Sequence, residues 1–108
     1  MKMNELALTY FRSFASKDLD RLRGLLDPCI TLRDWVIDVK GRDNVLAAMK
    51  GIFDQFAAIQ VVPMNVLVEG DTVTAELEIT LDGELIKVVD IIEYSPDWKI
   101  RAIRAYKG

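Results

Sequence analysis

The chain has 108 residues, 51% hydrophobic and 29% charged, with 14 basic side chains against 17 acidic ones and a net charge of −3. That length supports one hydrophobic core rather than two, so a single domain over residues 1–108 is expected. The acidic balance argues against nucleic acid or an anionic membrane as partner, because both reward a basic surface.

Two further features of composition narrow the chemistry. The chain contains no histidine, which removes Ser-His-Asp and Cys-His mechanisms, HExxH zinc chemistry and any histidine general base. Carboxylates, tyrosine and lysine remain for acid–base work. Cys29 is the one cysteine, so no intrachain disulfide can form and a reducing compartment fits. Between Pro28 and an ITL run it reads as a buried, inert thiol. Charged residues interrupt every apolar stretch before membrane length, and no signal-like N-terminal run is present, so a cytoplasmic protein is expected.

In chain order, Asn4 can cap a first helix whose inward stripe is Leu6, Ala7, Tyr10, Phe11 and Phe14. Asp18 caps a second, with Leu19, Leu22, Leu25 and Leu26 inward, and Asp27-Pro28 ends it. Cys29 to Trp35 reads as a strand with Ile30, Leu32 and Asp34 on one face. Val36 to Val39 suits a short strand and Lys40-Gly41 a turn. Asp43 or Asn44 then opens a third helix with Val45, Ala48, Met49, Ile52, Phe53 and Phe56 inward. From Ile59 the period changes to two: Ile59–Val68, with Pro63 marking an edge or bulge, then Thr72–Leu81 and Leu85–Tyr94. The last strand is expected over Trp98–Tyr106, after a Ser95-Pro96-Asp97 turn.

Asp82-Gly83 is the strongest hairpin signal, a type I′ turn that sets Leu81 opposite Glu84. Counting back, Ile79 meets Ile86, Leu77 meets Val88 and Val73 meets Ile92 on the inner face, while Glu78 meets Lys87 outside. Asp90 then falls inward, opposite Ala75. A carboxylate inside an apolar strand is costly unless it is paired, hydrogen-bonded or protonated. The register of the last strand is open, so either Arg101 or Arg104 could be the partner of Asp90. The basic residues of KIRAIRAYK otherwise read as a solvated strand face.

Helices gathered on one face of a curved antiparallel sheet make an α+β cone with a pocket at its mouth. Tyr10, Asp34 and Asp90, from three different elements, each interrupt an apolar inward stripe. Phe14, Trp35, Phe53, Phe56, Ala75, Val88 and Ile103 are the side chains expected around the pocket. The outer sheet face, carrying Thr74, Glu76, Val89 and Ile91, is more apolar than open solvent favours, which predicts a homodimer packed sheet against sheet.

TYFRSFASKDLDRLRGLLDP, the GRDNVLAAMKGIF helix, VVDIIEY and the closing KIRAIRAY resemble the nuclear transport factor 2-like superfamily over nearly the whole chain. The resemblance is closest to the branch of ketosteroid isomerase and the SnoaL-like polyketide cyclases. It implies a cystatin-like cone of three helices on a mainly antiparallel sheet, holding a small apolar ligand without metal or cofactor. Tyr10, eight residues before Asp18, matches the oxyanion-hole tyrosine of ketosteroid isomerase. Asp34, fourteen residues after Asp20, matches the general base, and Asp90 matches the aspartate kept protonated as second donor. Asp34 departs from that pattern in being followed by Trp35 where relatives carry proline. The resemblance thus implies an isomerase or cyclase moving a proton beside a carbonyl. The alternative is a non-catalytic dimeric ligand-binding or accessory domain with Asp90 clamped by arginine.

Overall fold

In the computed structural model, which describes residues 3–108, helix α1 runs over Met3–Ala15 and buries Ala7, Tyr10 and Phe11. Asn4 lies inside this helix rather than capping it. Lys17, in the left-handed region at φ 59°, breaks the chain direction. Asp18 then caps α2 (Leu19–Leu25) by accepting the Arg21 N–H at 3.1 Å, which satisfies one of the helix's free amides.

Strand β1 (Leu26–Arg33) starts earlier than the sequence suggests, with no loop after α2. Asp27-Pro28 ends the helix as expected but sits inside an irregular part of the strand. Leu26 pairs with Ile100 and Thr31 with Ala102, five steps on β1 against two on β6. That bulge accommodates a proline lacking an N–H. It also turns Cys29 outward, and the thiol expected to be buried is exposed.

β2 is only Asp38–Lys40, because Asp34 to Ile37 forms a turn where more strand was expected. Helix α3 (Arg42–Gln55) begins one residue before Asp43, after Gly41 at φ 89°. Its buried face is Val45, Leu46, Met49 and Phe53, with Leu46 taking the deep position expected of Ala48. The Lys17 ammonium donates to the Phe53 and Phe56 carbonyls, closing the C-terminal end of α3.

Strands β3 (Ile59–Glu69), β4 (Thr72–Leu81), β5 (Glu84–Tyr94) and β6 (Ile100–Lys107) complete a six-stranded sheet of order β2-β1-β6-β5-β4-β3. Among the described residues only β1 and β6 pair in parallel. The sheet is curved and mainly antiparallel, with the three helices packed on it. β3 forms an edge, and its register shifts between Pro63 and Asn65, so the proline marks a bulge as read. The β4–β5 register is the one the turn implies, from Leu81–Glu84 to Ala75–Asp90 and Val73–Ile92. Asp82 and Gly83 take φ 49° and 87°, the signs a type I′ turn requires. β6 begins two residues later than expected, because Trp98 adopts φ 64° in the preceding loop.

Candidate active site

Between α1, α3 and the concave sheet face lies a cavity of about 390 Å³. Its floor and walls are aliphatic and aromatic, and Tyr10, Asp34 and Asp90 all line it. The inward stripes of two elements deliver Tyr10 and Asp90: α1 turns Tyr10 in beside Phe11 and Phe14, and β5 turns in Val88 and Asp90, whereas Asp34, expected on the face of β1, comes from the turn after it.

Asp90 is 7% exposed. Its neighbours across the ladder are Ala75 on β4 and Ala105 on β6, the smallest side chains that could flank it. No arginine or lysine among the described residues pairs with it. Arg104 stands opposite Ile91 on the outer face and pairs with Glu93. Arg101 falls at the register shift between Glu93 and Tyr94, and it reaches Asp71 at 3.0 Å and Glu93 at 3.5 Å. The expected arginine clamp is therefore absent: strand parity removes one candidate and the bulge the other. Burial, and secondarily the Asp34 charge, push the Asp90 carboxyl up to about 7.

Tyr10 is 5% exposed. Burial raises its hydroxyl well above the ordinary tyrosine range, and Asp90, Tyr94 and Asp34 each add to that. The hydroxyl therefore keeps its proton throughout the physiological range. Asp34 sits just past β1, half-buried, where its Oδ1 accepts the Val36 and Ile37 N–H groups at 2.7 and 2.6 Å. Those two bonds hold the Asp34–Ile37 turn, leaving Oδ2 without a protein partner among the described residues. The site thus brings together a half-buried carboxyl at its rim, a buried carboxyl raised to about 7 and a buried hydroxyl raised well above the ordinary tyrosine range.

Of the other expected wall residues, Phe14, Trp35, Phe56, Val88 and Ile103 line the cavity, whereas Phe53 and Ala75 do not. Phe53 packs edge-on behind Phe14, ring centroids 5.0 Å apart. Ala75 is completely buried, and the space opposite Asp90 does not open beside it. Two further residues bear on the site. Tyr94, inward on the face of Asp90 and Ile92, does not line the cavity but adds to the upward shift of Tyr10; it is 2% exposed, with a hydroxyl lacking any partner among the described residues. The alternation of β5 was signal enough to find it. Lys107 lines the mouth, and its inward aim depended on the open register of the last strand. Among the described residues no cluster of carboxylates and cysteine is arranged to hold a metal ion, and no helix is long and apolar enough to cross a membrane.

Solved structures share this architecture. A SnoaL-like protein of unknown function from Burkholderia thailandensis superposes with a TM-score of 0.88 at 12% identity, over 97% of this chain and 93% of its own. A candidate ketosteroid isomerase from Kribbella flavida gives 0.85 at 16% identity, over 98% and 77%. A candidate SnoaL-like polyketide cyclase from Jannaschia gives 0.84 at 21% identity, over 97% and 84%. No curated protein matches the chain. At these identities the likeness is one of fold. The SnoaL-like domain family, by contrast, matches residues 7–103 of the sequence itself. The chain belongs to that family, within the NTF2-like superfamily.

Proposed function

We propose that the cavity binds a small, largely apolar carbonyl compound, and that the protein moves a proton at the carbon beside the carbonyl without a cofactor. Asp34 takes that proton through its free Oδ2. The electron pair shifts onto the carbonyl oxygen, which Tyr10 and protonated Asp90 meet with hydrogen bonds as enolate charge develops. Asp34 then returns the proton to a carbon of the same ligand, so atoms and charge balance. The observation that carries this reading is Asp90: a buried carboxyl with no cation beside it among the described residues, flanked by alanines and raised to about 7. Carboxyls whose environments separate their proton affinities divide naturally into base and donor.

The test uses a β,γ-unsaturated cyclic ketone in D₂O. The wild type should form the conjugated isomer and exchange the α-hydrogen. Asp34→Asn should abolish both, and Tyr10→Phe should slow them by roughly 10²-fold, as loss of one oxyanion donor does. Unchanged exchange in Asp34→Asn would remove it as base.

One observation favours a second reading, a ligand-binding or accessory domain without turnover. Asp34 already has a structural task in its turn. Binding of the ketone with no exchange in any variant would select that reading. In either case we propose that two copies pair through their outer sheet faces, where Val62, Leu67, Leu85 and Tyr106 are exposed.

A further inference from the structure

The inward face of β6 ends on a charge. Ile103, Ala105 and Lys107 share the concave side and all line the cavity, so a lysine stands where the strand pattern calls for an apolar side chain. Lys107 pairs with Val88, one inward position beyond the Asp90–Ala105 pair, about 7 Å along the strands. Its ammonium lies 5.9 Å from the centre of the Trp35 ring, which bounds the same mouth. That contact aims a long, flexible side chain across the opening.

Among the described residues Lys107 is the one cation in the cavity wall, and no carboxylate pairs with it. Arg23, Lys50, Arg101 and Arg104 each have an acidic partner. Three carboxyls face the same space, and none neutralises it. Glu84 lies four residues further out on β5 than Val88, about 13 Å away along the strand. Asp34 commits Oδ1 to its turn. Asp90 is buried at the deep end.

We propose that the ligand carries a carboxylate roughly 7–10 Å from its carbonyl, and that Lys107, braced on Trp35, receives that carboxylate at the mouth. This rests on the reading of the deep end as a carbonyl site and adds the chemistry of the outer end. The ligand is then a keto acid with an apolar middle, inserted carbonyl first.

The test compares 4-acetylbenzoate with its methyl ester, the same ketone with and without the charge, by titration calorimetry. The wild type should bind the acid roughly two- to fivefold more tightly than the ester, the range open to a solvent-exposed ion pair. Lys107→Ala should bring that ratio to about one, Lys107→Glu should invert it, and Lys107→Arg should preserve it. Added salt should shrink it. A wild-type ratio near one, a ratio insensitive to Lys107→Ala, or failure of both probes to bind would overturn the proposal. So would tighter binding of the matched ammonium compound, 4-acetylbenzylamine. Ester binding that weakens in Tyr10→Phe reads the carbonyl site separately, so a lost acid preference alone leaves that site standing.

Discussion

Asp90 couples burial to pH in a direction opposite to that of an ordinary surface carboxylate. Its folded value is raised from 3.8 to about 7, by desolvation first and the Asp34 charge second. Between those values the folded chain keeps a proton that the unfolded chain releases. The contribution of this group is therefore fully present below about pH 4 and lost as pH rises through 7, a span on the order of 4 kcal/mol. Replacing Asp90 by Asn removes the titration. Relative to wild type, Asp90→Asn should gain about 2–3 kcal/mol in urea unfolding between pH 5 and pH 8. A constant difference between the two proteins across that range would show that Asp90 titrates as a solvated carboxylate. The proposed donor role depends on the same proton: affinity for a neutral ketone should be flat below pH 7 and weaken above it. Tyr10 and Tyr94 keep their hydroxyl protons far beyond that range, so the pH response belongs to the carboxyl.

The Asp82-Gly83 turn does more than reverse the chain between β4 and β5. The Asp82 carboxylate also accepts the Ala57 and Ala58 N–H groups, at 3.2 and 2.7 Å, while its own N–H donates to the Ala58 carbonyl at 2.9 Å. One residue thus sets the hairpin register and latches the α3–β3 connection beside it. Asp82→Ala should cost about 1–3 kcal/mol by leaving those amides without an acceptor. Gly83→Ala should cost about 1–2 kcal/mol from its φ of 87° alone, because no atom stands within 4 Å of the added methyl. Urea denaturation measures both, and a loss below about 0.5 kcal/mol in Asp82→Ala would show that the latch is not needed. The turn itself was readable, since Asp-Gly between alternating apolar runs admits few conformations. The latch was not, because it joins positions 25 and 24 residues apart.

Across the whole molecule, the outer sheet face carries a run of exposed apolar side chains. Leu67 and Leu85 are 60% and 52% exposed, and Tyr106 is 49% exposed. Val89 and Ile91 lie half-buried on the same face. Covering such a surface with a second copy removes apolar area from water. Light scattering at micromolar concentration should return twice the 12.2 kDa chain mass, and Leu85→Lys should shift the population toward monomer. A wild-type monomer at that concentration would leave the face without its proposed partner.

Helix order, the period-two strands and the Asp82-Gly83 register were readable from local patterns, because apolar periodicity and turn stereochemistry act over a few residues. The inward aim of Tyr10 and Asp90 followed from the same periodicities. Features that depend on distant partners were not readable. The bulge at Asp27–Cys29 exposes the thiol because β1 must match a parallel neighbour more than seventy residues later in sequence. The bulge at Glu93–Tyr94 sends Arg101 outward, and with Arg104 also outside, Asp90 is left without an arginine. Local sequence made Asp90 an inward carboxyl with two possible protonation states. The packing of β5 against β6 shifted the balance toward the acid, raising its carboxyl to about 7, since a buried carboxylate with no cation beside it among the described residues is costly.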